Sequence, residues 1–268
     1  MSLQFIFGNS GSGKSHWLYQ SIIEDSIKHP EKNYLVLVPE QFTMQTQKDL
    51  CLMHPRGGIM NIDVLSFGRL AHRVFEEVGR DSLPVLDDEG KNLVLRKIAG
   101  NFEDELTVLK GNLKKQGYIS EVKSVISEFT QYGVDLERID GFMEGLDQNS
   151  YLYYKLKDIR RLYEGFEDYL SEKYITKEEM LDVLSDVVPQ SEILKDSVVA
   201  MDGFTGFTPV QDRLLGELLR VCGRVMITVE MDGREDPFVY RHPYQLFALS
   251  KQMVTSLVKI ARETGAEV

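Results

Sequence analysis

The sequence predicts an α/β fold: a parallel sheet flanked by helices, interrupted by a large inserted all-helical subdomain. Three observations carry this expectation. Short continuous apolar runs alternate with helical spacing at both ends of the chain, as buried parallel strands with crossover helices require. Strand signals stop near Pro84 and return only at Ser197. A glycine-rich turn, Gly8-Asn9-Ser10-Gly11-Ser12-Gly13-Lys14-Ser15, stands between the first run and the first helix.

Taken in order, Leu3-Gln4-Phe5-Ile6-Phe7 reads as a short buried strand, and Trp17, Leu18, Ile22 and Ile23 have helical spacing. Tyr34-Leu35-Val36-Leu37-Val38 is a second strand, ended by Pro39, and Gln41 to Leu52 a helix. Ile62-Asp63-Val64-Leu65 is a third strand, and Gly68 to Val78 a helix carrying Leu70, Val74 and Phe75. Amphipathic helices then take over. Val122, Val125, Ile126 and Phe129 form one stripe. Leu152, Leu156, Ile159, Tyr163, Phe166 and Leu170 recur every three or four residues and make one apolar seam. Thr176 and Glu179 read as a capping box opening a helix with Met180, Leu184 and Val187. Strands return at Val198-Val199-Ala200-Met201 and Val225-Met226-Ile227-Thr228-Val229, with a helix from Val210 to Leu219 between them. Leu246, Leu249, Met253, Leu257 and Ile260 mark a last helix. The expected organisation is a sheet domain made of residues 1–83 and 197–268, with 84–196 as the helical subdomain.

Composition narrows the function classes. With 268 residues, 43% apolar and 27% charged, the chain is an ordinary globular protein of one large or two smaller domains. Its apolar runs are too short to span a membrane, so no membrane partner is expected. The start, Met1-Ser2-Leu3-Gln4, lacks the basic region of a signal peptide. Cys51 and Cys222 stand apart, which gives neither a disulfide framework nor a structural metal site and points to a reducing cytoplasm. Net charge is −11, and residues 81–196 hold 25 acidic against 15 basic side chains. The middle of the chain is therefore compositionally distinct, and such a surface repels a nucleic-acid backbone unless its basic groups cluster on one face.

The turn at Gly8–Ser15 matches G-x-x-x-x-G-K-[ST] in the strand–loop–helix setting that phosphate binding needs. Glycines let backbone N–H groups curl inward toward phosphate oxygens, and the following helix adds its positive end. Lys14 reaches the outer phosphates of ATP, and the Ser15 hydroxyl holds Mg²⁺. A second Mg²⁺-associated group is expected at the end of a buried strand, where Asp202 stands. A hydrolase would carry a carboxylate beside it to orient water; here the neighbour is Gly203, and no catalytic residue is assigned. Glu40, Gln41 and Thr43 follow the second strand, and Ser66, Arg69 and His72 the third. The carboxyl ends of parallel strands form the ligand edge, so these residues are candidate nucleotide or DNA contacts. Helix capping accounts equally well for Thr43 and Ser66.

Four segments carry a resemblance: Phe5 to Ser15, Leu37-Val38-Pro39-Glu40-Gln41-Phe42-Thr43, Val64-Leu65-Ser66-Phe67-Gly68-Arg69-Leu70-Ala71, and Met201-Asp202-Gly203-Phe204-Thr205-Gly206-Phe207-Thr208-Pro209. In these the chain resembles the N-terminal region of the AddB subunit of the AddAB helicase–nuclease, a bacterial enzyme that processes DNA double-strand breaks. The resemblance implies a P-loop NTPase (RecA-like) sheet of the superfamily 1 helicase type, ATP and Mg²⁺ as cofactors, and an AddA-type partner with DNA as substrate of the whole complex. It places the nuclease domain and the iron–sulfur cluster beyond Val268. Gly203 departs from active helicases, and the start at the first strand leaves no room for an upstream adenine-reading glutamine. Two alternatives remain: a non-hydrolysing scaffold of the same fold that holds DNA or the partner subunit, and a small P-loop kinase with a helical lid.

Overall fold

The computed structural model describes residues 1–79, 84–113, 115–171 and 174–268. In chain order its elements are β1 (Ser2–Gly8), α1 (Lys14–Lys28), β2 (Tyr34–Leu37), α2 (Thr43–Met53), β3 (Ile62–Leu65), α3 (Phe67–Val78), β4 (Val85–Leu86), α4 (Asp88–Asn101), α5 (Gln116–Gln131), α6 (Leu136–Glu144), α7 (Tyr151–Leu170), β5 (Ile175–Thr176), α8 (Glu179–Val187), β6 (Val198–Met201), α9 (Pro209–Val221), β7 (Arg224–Glu230) and α10 (Ala248–Thr264). They fall into two compact units, one of Met1–Asp81 with Leu181–Val268, the other of Ser82–Met180.

The first unit is built on a five-stranded parallel sheet in the order β1-β7-β6-β2-β3. Tyr34, Val36, Val198, Ala200 and Met226 face α1 and α2, whose Leu18, Ile22, Ile23 and Leu50 close one core. The alternate residues Leu35, Leu37, Val199, Met201 and Ile227 point to the other face and are equally buried. On that side α9 lies against β7, and α10 against α9. Burial on both faces is why these strands read as unbroken apolar runs rather than alternating ones. All five strands run the same way, so Gly8, Pro39, Ser66, Asp202 and Glu230 share one carboxyl edge.

The second unit is mainly helical, with a core that includes Leu95, Ile98, Ile119, Ile126, Ile139, Ile159, Leu162 and Phe166. At Gly165 of α7 an added Cβ would lie 2.6 Å from the Phe102 ring, so only glycine permits this approach of the chain after α4. Asp158, fully buried, accepts the backbone N–H groups of Thr107, Val108 and Leu109 at 2.7–3.0 Å and so holds a turn that has no ladder of its own. Lys91, with a side chain 2% exposed, is held by both oxygens of Glu178 at 2.7 and 2.9 Å. Burial pushes the Glu178 carboxyl up, but the Lys91 ammonium outweighs it and leaves the group below its ordinary value.

Three expectations need correction. The middle segment is not all-helical: β4 and β5 pair in parallel, Val85 with Ile175 and Leu86 with Thr176. Two-residue strands are too short to show a period. The second unit closes at Met180, so residues 181–196 belong with the sheet unit rather than with the helices. Helical spacing shows that α8 has an apolar face but not which core it joins. The other expected boundary abuts residues 80–83, which lie outside the described residues. Leu246 precedes α10 and, like Leu249, is exposed; the buried face of that helix begins at Ala248 and includes Met253 and Leu257.

Candidate functional site

The glycine turn is shaped by three glycines. A Cβ on Gly8 would meet the Ser12 hydroxyl at 2.4 Å. Gly11 and Gly13 have φ of +72° and +87°, the left-handed region that side chains disfavour. Ser12 N–H closes the turn on the Asn9 carbonyl at 3.1 Å. Gly13 caps α1 without a side chain, and the first turn holds no acidic residue. The opening N–H groups of a 15-residue helix therefore face the turn without a side-chain acceptor. Asn9 to Gly13 are exposed, and Lys14 folds over them, its Nζ donating to the Asn9 carbonyl at 2.8 Å.

Asp202 is 8% exposed at the end of β6. Its Oδ1 accepts the hydroxyls of Ser15 at 3.0 Å and Thr228 at 2.5 Å; its Oδ2 accepts the Tyr19 phenol at 2.6 Å. Three neutral donors converge on one carboxylate. Burial first, and then the bond to Asp202, pushes the Tyr19 phenol well above its ordinary range. The Thr46 hydroxyl lies 3.4 Å from the same phenol. Tyr19, Thr46 and Thr228 are the site residues that the sequence reading missed. A signal existed for two of them. Tyr19 follows Ser15 by one helical turn on the same face, and Thr228 is the one polar residue in the run Val225–Val229.

The remaining candidates divide by their bonds. Thr43, buried, donates to the Glu40 carbonyl at 2.9 Å, and Ser66, also buried, caps α3 by accepting the Arg69 N–H at 3.4 Å. Ser66 thus performs the capping role, whereas the Thr43 hydroxyl bonds back to the preceding turn and does not cap α2. Arg69 pairs with Glu40 at 3.2 Å on an exposed surface, and Gln41 and His72 are exposed. Gly203 has φ of +79°, and its Cβ position lies 3.6 Å from the Pro39 ring. Phe67, Phe204 and Phe207 pack together just beyond it, with ring centroids 5.4–6.4 Å apart. Cys222 is buried, its thiol pushed up to about 11 by burial, as a core residue's would be.

A family model described as "ADDB, N-terminal" matches residues 5–268. The chain belongs to that family. It is similar over its full length to the B subunit of the ATP-dependent helicase/deoxyribonuclease of Lachnoclostridium phytofermentans, with 45% identity, and to that of Ruminiclostridium cellulolyticum, with 34%. The protein of the same name from Clostridium kluyveri is 35% identical over 99% of the chain. The chain spans 23% of the length of each of these relatives, in keeping with an N-terminal region. No helix among the described residues is long and apolar enough to cross a membrane.

Proposed function

We propose that this chain is the ATP-binding, helicase-like part of a DNA-repair helicase–nuclease subunit, working with an AddA-type partner on broken DNA ends in the cytoplasm. In this reading the first unit is a P-loop NTPase (RecA-like) domain and the second a helical subdomain inserted into it. The observation that carries the reading is the bond between the Ser15 hydroxyl and the Asp202 carboxylate at 3.0 Å, one residue from Lys14. Both are hard oxygen donors, the chemistry Mg²⁺ prefers, and two protein oxygens leave room for phosphate and water in an octahedral shell. Ser15 and Asp202 would hold the ion. Bound there, Mg²⁺ would neutralise charge on the outer phosphates. Lys14, now on the Asn9 carbonyl, would turn to the same phosphates, and the opening N–H groups of α1 would cradle them. Gln41 and Arg69, exposed on the same edge, would meet nucleotide or DNA, Arg69 on leaving its pair with Glu40, while Thr43 and Ser66 bond to the backbone that presents them. An iron–sulfur cluster would belong to the part of the longer protein that follows Val268.

A second reading keeps the fold and the nucleotide but not turnover: a scaffold that holds DNA or the partner subunit. Gly203 favours it. The position that would carry a water-orienting carboxylate has left-handed backbone, which a glutamate adopts only under strain. Nucleotide titration together with phosphate release, with and without single-stranded DNA, separates the readings. Binding with DNA-stimulated release supports a motor, and binding without release supports the scaffold. No binding refutes both.

A further inference from the structure

The outer edge of β1 is half used. In a parallel sheet, alternate residues direct both N–H and C=O to the same neighbour. Gly8 points inward, its carbonyl accepting the Met231 N–H at 3.0 Å beyond the paired stretch of β7. Met1 and Leu3 point outward and are taken: Leu3 N–H donates to the Glu267 carbonyl at 2.7 Å, and Glu267 N–H donates to the Met1 carbonyl at 3.3 Å. Ser2 and Glu267 form a parallel bridge. By the same alternation, Phe5 and Phe7 also point outward. Among the described residues, neither N–H has a partner on that side.

The side chains repeat the pattern. Phe5 and Phe7 stack on the α10 face of the sheet, and Phe238 meets Phe7 edge-on at 6.2 Å. Phe238 also lines an open groove of about 590 Å³, together with Thr255, Val258, Lys259, Arg262, Glu263 and Val268. Val268 thus lines the groove next to Glu267, where the first rung is already made. The contrast with the opposite edge is informative. β3 is four residues long and carries Asp63, paired with Arg73 at 2.9 Å, which protects an edge by charge. β1 has seven residues and no charge.

We propose that the polypeptide following Val268 in the longer subunit continues as a sixth parallel strand on β1. The relatives' length supplies the occupant, since this chain spans 23% of it. The register set by Ser2 and Glu267 places Val268 opposite Leu3. The second and fourth residues after Val268 then lie opposite Phe5 and Phe7. Their side chains lie on the same face as the Phe5, Phe7 and Phe238 rings and are apolar. The fifth lies opposite Gly8, so the strand delivers the chain beyond it to the edge that carries the glycine turn. The proposal does not depend on what that turn binds.

Hydrogen exchange read at single amides, in the full-length subunit and in the 268-residue chain, tests it. The amides of Phe5 and Phe7 exchange at least about tenfold more slowly in the full-length subunit, as ladder formation gives. Leu3, already bonded, changes little. Equal exchange of Phe5 and Phe7 in the two proteins overturns the proposal. So does protection that rises with the concentration of the 268-residue chain, which assigns the edge to a second copy. Protection of the full-length subunit that appears only on adding another protein overturns it as well.

Discussion

Replacing Asp202 with Asn tests whether charge organises the site. The carboxylate receives three hydroxyls, from Ser15, Thr228 and Tyr19. A hydrogen bond to a charged group contributes about 1.5–3 kcal/mol and a neutral one about 0.5–1.5. The difference is about 1 kcal/mol per bond, so about 3 kcal/mol over the three. The amide also turns an NH₂ donor toward a hydroxyl that was itself donating. Relief from burying a charge returns about 1 kcal/mol of this loss, because the site is polar and open toward the turn. A net loss of about 2 kcal/mol lowers the melting temperature by about 4–8 °C for a unit of this size. Circular dichroism at neutral pH measures it. The Tyr19 phenol supplies a second readout. Its raised pKa means that the unfolded chain ionises first as pH rises, so its contribution is whole below about pH 10 and lost above it. Without the Asp202 charge the phenol ionises at lower pH in an ultraviolet titration. A variant that melts within about 1 °C of the parent and titrates alike refutes the reasoning.

Other perturbations probe the rest of the molecule. Glu178→Gln leaves the buried Lys91 ammonium with only the exposed Asp88 as counter-charge, at 3.6 Å, and costs about 3 kcal/mol in urea unfolding; Lys91→Met costs a similar amount because it strands the Glu178 carboxylate, whose side chain is 11% exposed. Because Glu178 lies below its ordinary value when folded, its contribution is present above about pH 4.5 and fades as pH falls through the folded value, which acid unfolding of the parent and the Gln variant compares. Asp158→Ala strands three backbone donors and lowers stability by at least about 3 kcal/mol, at about 1–3 kcal/mol each. Steady-state phosphate release stays below about 1 s⁻¹ with DNA present, and Gly203→Glu costs about 1–2 kcal/mol of stability from its left-handed backbone. Faster turnover that Lys14→Ala abolishes shows that another group orients the water.

The strands and the glycine turn were legible because their signals are local. A continuous apolar run, a required glycine and a lysine next to a serine each declare themselves within a few residues. Asp202 was found for the same reason, as a carboxylate ending a buried run. What surrounds it was not. Tyr19, Thr46 and Thr228 come from three elements, and only folding brings the first and last onto Asp202 and the second within 3.4 Å of the Tyr19 phenol. The pairing of Val85–Leu86 with Ile175–Thr176 joins strands too short for a period. For Ser66 the bond from the Arg69 N–H shows the cap, whereas the Thr43 hydroxyl donates back to the Glu40 carbonyl and caps no N–H group of α2. Nothing near Lys91 in the sequence marks it as buried, since its partner Glu178 is 87 residues away.

Calorimetric titration of the 268-residue chain with Mg-ATP bears most directly on the central claim. The account predicts one site that Lys14→Ala weakens by about tenfold or more, the loss of a charge-assisted bond of about 1.5–3 kcal/mol. Equal binding by the parent and Lys14→Ala, or no binding by the parent, contradicts it.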